Sequence, residues 1–175
     1  MTLATLTPGT WTVDPVHSDV AFVARHLMVT KVRGRFTDVS GTVTVAEDFS
    51  SSTVSASAAV ASVDTGNADR DAHLRSADFF DAETYPEITF ASTAITPTSL
   101  TGDLTIKGVT KSATFDLDFA GVATDPWGNT KAAFEARTDV LRKDWGLTWN
   151  AALEGGGVLV SDKVTLSLDI QLVKA

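Results

Sequence analysis

The alternation of apolar and polar residues along most of the chain narrows its fold more than any other feature. From Lys163 onward, Val164, Leu166, Leu168, Ile170 and Leu172 alternate with Thr165, Ser167, Asp169 and Gln171, so an extended backbone puts every apolar side chain on one face. Phe115, Leu117 and Phe119 around Asp116 and Asp118 repeat the pattern, as do Val43 and Val45 between threonines. Val16 to His26 reads as a longer strand with Val20, Phe22, Ala24 and His26 on one face. Further strands are predicted at Arg33 to Asp38, Thr53 to Val63, Glu87 to Thr96, Leu100 to Lys107, Lys131 to Val140 and Leu147 to Leu153, punctuated by turn signals at Lys107-Gly108, Asp125-Pro126, Asn129 and Gly155 to Gly157. Strands joined by short turns, each with one dry face, predict an antiparallel sheet that must close or stack. The expected fold is all-β, eight or nine strands in one domain spanning residues 1–175, as a closed barrel or as stacked sheets.

A barrel of this size is wide enough either to be filled by side chains or to hold one small elongated ligand. Ala56 and Ala58 share a face with Val54 and Val60, and Ala24 lies between Phe22 and His26. Small residues on a dry face leave volume that an apolar guest would fill. A core in which each alanine faces a large residue satisfies the same alternation, so sequence leaves both interiors open.

Thr65 to Tyr85 breaks the period, with charges at short spacing and Phe79 beside Phe80. One or two short helices are predicted there, the first capped by Asn67 and the second stopped by Pro86, forming a lid whose apolar contacts are Leu74, Phe79 and Phe80. Trp145, Leu147 and Trp149 are predicted to share one face of an extended segment, as core or as cavity wall.

The chain carries 14 Lys and Arg against 22 Asp and Glu, a net charge of -8, which repels phosphate backbones and makes nucleic acid an unexpected partner. It has no cysteine, hence no disulfide, thiolate metal site or cysteine nucleophile. Met1 to Thr10 lacks the pattern of an export signal, and no run approaches the length of a membrane span; a cytoplasmic protein without stable membrane insertion is expected. His17, His26 and His73 lack metal-ligand spacing, so no metal and no cofactor are expected. The sequence contains no nucleophile elbow or phosphate-binding glycine loop. Carboxylate pairs such as Asp69 with Asp71 read as solvated, and Arg70-Asp71 and Arg142 with Asp144 read as rim bridges. His26 with a carboxylate in the pocket would support a hydrolase or isomerase, and a histidine alone a haem or metal binder; these are the alternatives to a non-catalytic binding module.

The ordered motifs WTVDPVHSDVAFVARH (Trp11 to His26), SVDT (Ser62 to Thr65), RDAHLRS (Arg70 to Ser76), DFFD (Asp78 to Asp81), YPEITF (Tyr85 to Phe90), GDLTIKGVTK (Gly102 to Lys111) and RKDWGLTW (Arg142 to Trp149) resemble the YceI-like family of lipocalin-like polyisoprenoid-binding proteins over nearly the whole chain. The resemblance implies an eight-stranded antiparallel lipocalin-like barrel with a short helical lid, enclosing an apolar channel for an isoprenoid tail, polyprenyl or quinone. Carried over by motif position, the ligand-binding lining is Val20, Phe22, His26, Phe36, Leu74, Phe79, Phe80, Phe90, Leu104, Trp145 and Trp149, with His26, Arg70 and Arg142 at the head group. Homodimers occur in the family, and one is expected here.

Overall fold

The computed structural model describes residues 2–175. In chain order its elements are β1 (Gly9–Val13), β2 (Asp19–His26), β3 (Thr30–Phe36), β4 (Val39–Val45), β5 (Thr53–Ala59), β6 (Val63–Asp64), α1 (Ala68–Arg75), β7 (Glu87–Thr96), β8 (Ser99–Ile106), β9 (Val109–Thr124), β10 (Thr130–Leu141) and β11 (Lys163–Lys174). The eleven strands make eight staves, because β1 with β2, β3 with β4, and β5 with β6 are halves of bent strands broken at 14–18, 37–38 and 60–62. Every ladder is antiparallel, and one edge of β11 closes the barrel by pairing first with β2 (Thr165 opposite Val23) and then with β1 (Leu172 opposite Val13). Closure leaves the sheet without the exposed edges that invite aggregation.

The first break shows how sequence bends a stave. Pro15 has no N–H to give to a ladder. Asp14 accepts the Val16 N–H at 3.1 Å, and Ser18 takes the ladder position with its hydroxyl, accepting the Gln171 N–H at 3.0 Å. β2 therefore begins at Asp19, three residues after the predicted start. His17 falls in the break, its Nδ1 2.9 Å from Asp14, so the predicted opposite-face relation to His26 does not apply.

Three further expectations are corrected. Leu147 to Leu153 is not a strand: Arg142–Trp145 forms a 3-10 turn, Gly146 takes φ +77°, and the only pairing in the segment is the single bridge of Ala152 to Val158. Side chains replace the ladder there, since Arg142 takes the carbonyls of Leu147 and Trp149, and the Asn150 amide holds both N–H and C=O of Val160. Trp145 consequently lies in a turn and not on an extended face. Thr65 to Tyr85 holds one helix, α1, capped by Asn67 accepting the Arg70 N–H at 2.9 Å; residues 76–85 are successive turns, so Pro86 ends no helix. β1 is implied by the family resemblance of Trp11 to His26 but not by alternation, since only Trp11 and Val13 alternate in it.

The turns at 27–29 and 107–108, the α1 segment and the connection 142–162 gather at one end of the barrel, and the N-terminal residues and 46–52 at the other. Trp11 is wholly buried, with Leu6 beside it in the core, whereas Trp127 is 83% exposed at the tip of the 125–129 turn.

Candidate functional site

Inward side chains of the eight staves meet around a cavity of about 230 Å³. Its wall is valine, leucine, isoleucine, phenylalanine, alanine and glycine, with a few serines and threonines, and contains no Asp, Glu, Lys, Arg or His. On β4 and β5 the void borders Gly41, Ala56 and Ala58, small residues beside the larger Phe90 and Ile88 that neighbour the two alanines on β7. Ala24 contributes nothing to the void, being half-buried outside it.

Of the eleven residues expected to line the channel, Val20, Phe22, Phe36, Phe90 and Leu104 border the cavity. Two of the phenylalanines are fixed by glycines, because a Cβ on Gly34 would run into the Phe22 ring and one on Gly102 into the Phe90 ring. Aromatic rings lying over strand glycines keep these walls flat and the lumen open. The wall residues that motif matching did not single out include Ile88, Leu100, Phe115, Leu166 and Leu168. Alternation had placed several on a dry face, but it does not separate a wall from a filled core.

Leu74, Phe79, Phe80, Trp145, Trp149 and His26 lie outside the cavity wall. The first five form its cover. Phe80 stands edge-on to Phe36 at 5.8 Å, and Phe36 is 5.7 Å from Phe22, so one file of rings runs from lid to lumen. Phe79 is buried between the Trp149 ring at 5.3 Å, the His73 ring at 5.0 Å and the Arg142 guanidinium at 6.0 Å. Trp145 is buried with its indole N–H donated to the Leu104 carbonyl at 2.9 Å, which pins the cover to β8. These residues pack on each other, which is why they are not free to border the void.

Arg142 is a clasp, not a head-group residue. Its guanidinium donates to the carbonyls of Ser161 (2.9 Å), Leu147 (2.7 Å) and Trp149 (2.9 Å), with Val160 at 3.5 Å, and its side chain is buried. Burial lowers its pKa, and the Asp162 carboxylate 3.9 Å away works in the opposite sense; the predicted bridge to Asp144 is replaced by this contact. All of its hydrogen bonds go to carbonyls of the 147–161 connection. Asp71, read from sequence as solvated, is also buried: its carboxylate accepts the Thr65 N–H at 2.9 Å and hydroxyl at 2.6 Å. Arg70 donates to the same Thr65, through Nε at 2.7 Å and Nη2 at 2.8 Å, so both residues tie α1 to the end of β6 rather than to each other.

His26 and Arg70 come together elsewhere, in a shallow notch between the β2–β3 hairpin and the lid that also includes Thr30, Lys31, Arg33 and Thr65. The notch shares no residue with the cavity. His26 has no carboxylate partner; among the described residues the His–carboxylate contacts are His17 with Asp14 and His73 with Asp78, both at 2.9 Å, and none faces the lumen. No three His, Asp or Glu side chains among the described residues are grouped to hold a metal.

A profile of the YceI-like domain matches residues 11–172. The chain belongs to the YceI-like family. It is 38% identical over 159 residues to a UPF0312 protein of Staphylococcus aureus, covering 88% of this chain and 91% of that one. BcnA of Burkholderia cenocepacia has the same barrel, with a TM-score of 0.79 and 25% identity over 91% of this chain and 98% of BcnA. A domain from Saccharophagus degradans, described as polyisoprenoid binding and implicated in plant cell wall breakdown, shares the fold with a TM-score of 0.73 at 15% identity, over 94% of this chain and 98% of that one.

Proposed function

We propose that this YceI-like barrel holds a chain-like apolar guest of the isoprenoid kind, a polyprenyl or quinone tail, and sequesters or carries it without chemistry of its own. The observation that carries the reading is a void of about 230 Å³ with no titratable side chain in its wall. An empty cavity of that kind stays dry and accepts hydrocarbon. Proton transfer needs a positioned acid or base within reach of the substrate, and the lumen offers none. The description of the Saccharophagus degradans relative as polyisoprenoid binding agrees with the reading.

Each methylene-sized group that leaves water for the void gains ~0.8 kcal/mol before ordering costs, and leaving the void of about 230 Å³ empty costs about 5.5 kcal/mol at ~24 cal/mol per Å³. His26 and Arg70, which share the rim notch, are proposed to meet a polar head. Organic extraction of purified protein followed by mass spectrometry tests this: a stoichiometric isoprenoid-type lipid is expected. Protein that is free of lipid and takes up no isoprenoid analogue would overturn the proposal.

A further inference from the structure

The hairpin joining β2 to β3 carries a feature that the cavity does not explain. Its apex is Leu27, Met28 and Val29, which are 44%, 54% and 74% exposed. Leu27 and Met28 sit at φ +54° and +60°, with the Val29 N–H donated to the His26 carbonyl at 3.1 Å. Left-handed positions in a hairpin turn favour glycine or asparagine; two large apolar residues there are strained and remain about half exposed.

Charge is arranged around this apex against the sign of the whole molecule. From Val20 to Thr37 the chain has Arg25, Lys31, Arg33 and Arg35 and no Asp or Glu, in a protein of net charge -8. Arg25 lies directly opposite Lys31 across the ladder, both exposed. Like charges in that position destabilise a sheet. Among the described residues no carboxylate forms an ion pair with Arg25, Lys31 or Arg33. The nearest acid across the ladder is Asp64, opposite Arg35, and its carboxylate accepts the Gly66 N–H. The Arg25 guanidinium donates to the Val29 carbonyl at 3.0 Å, and the Leu27 N–H is held by the Leu159 carbonyl at 2.9 Å, so the apex is braced in its exposed position.

We propose that the β2–β3 hairpin is a docking element for an anionic lipid bilayer, with Leu27, Met28 and Val29 entering the acyl boundary and Arg25, Lys31 and Arg33 meeting the headgroups. An apolar tip flanked by cations matches that interface in both layers. Nucleic acid would attract the cations but has no use for the tip. The hairpin stands at the end of the barrel that the lid covers, so docking sets the cover against the membrane. The surface lies outside the cavity, and its test does not depend on the identity of any guest.

The test is co-sedimentation of the full chain with vesicles of phosphatidylcholine mixed with an equal share of phosphatidylglycerol, and with phosphatidylcholine alone. Preferential, salt-sensitive binding to the anionic vesicles is expected. Replacing Lys31→Gln with Arg33→Gln should weaken it about 25-fold, at about fivefold per cation, and Met28→Ser with Val29→Ser should weaken it roughly tenfold. Both variants should fold with a thermal midpoint no lower than wild type, and the serine variant, whose residues line neither the cavity nor the notch, should also keep the extracted-lipid content, which separates loss of docking from loss of the fold or of the cavity's guest. Absence of binding, equal binding to both vesicles, or variants that bind as wild type does would overturn the proposal. So would tighter binding to duplex DNA than to the vesicles, with the serine variant unaffected.

Discussion

Replacing Ala56→Leu asks directly whether the barrel interior is hollow. Ala56 lies on β5 between Gly41 of β4 and Phe90 of β7 and borders the cavity. Leucine adds about three methylene-sized groups, so at ~0.8 kcal/mol each it recovers about 2 kcal/mol of lost burial, less whatever strain its rotamer meets. A net gain of about 1 to 2 kcal/mol in the guest-free protein is expected. The same groups displace carbons of the guest, which should weaken an isoprenoid analogue by about 2 kcal/mol, or about thirtyfold in Kd. Guanidinium unfolding followed through the buried Trp11 and Trp145 measures the first quantity, and titration of the analogue the second. A variant that loses 1–3 kcal/mol, as an overfilled core does, while holding the guest as tightly as wild type would refute the reasoning.

Other substitutions probe the parts around the void. Arg142→Met leaves the buried carbonyls of Ser161, Leu147 and Trp149 without donors and should cost about 3 to 5 kcal/mol, with faster amide exchange over 147–161; Arg142→Lys should not restore it, since one ammonium cannot span the fork. Gly34→Ala should cost about 1 to 3 kcal/mol by pushing the Phe22 ring off its seat, read as a lower urea midpoint together with reduced guest uptake. Asp14 is held down to about 2, first by hydrogen bonding to Lys131 at 2.8 Å and then to His17. Its folded pKa lies below its unfolded value, so its contribution is full above about 4 and is lost as pH falls toward about 2; Asp14→Asn should remove about 1 kcal/mol of that acid-dependent stability, seen as a flatter profile of thermal midpoint against pH.

Alternation made the staves legible wherever a strand was long and had one wet face, as in β9, β10 and β11. It failed where side chains stand in for the backbone. Leu147 to Leu153 reads as strand because Leu147, Trp149 and Ala151 alternate, yet one buried guanidinium and one asparagine amide take the place of a ladder there. Sequence gives no sign that Arg142 is a clasp, because a rim cation and a buried one look alike until their partners are placed. The lid aromatics were located in the right segment, but their mutual packing over the barrel end is a tertiary fact. For the cavity, Ala56 and Ala58 carry a signal, since both border it; alternation does not supply their ladder neighbours, Gly41 and Phe90 for the first and Val39 and Ile88 for the second.

The account stands or falls on the void being a binding space of limited length. Titrating the delipidated protein with a series of isoprenoid and alkyl analogues of increasing tail length measures this most directly. Kd should fall about fourfold per added methylene and level off once the tail fills the cavity. A Kd that is independent of tail length, or no saturable binding at any length, would contradict it.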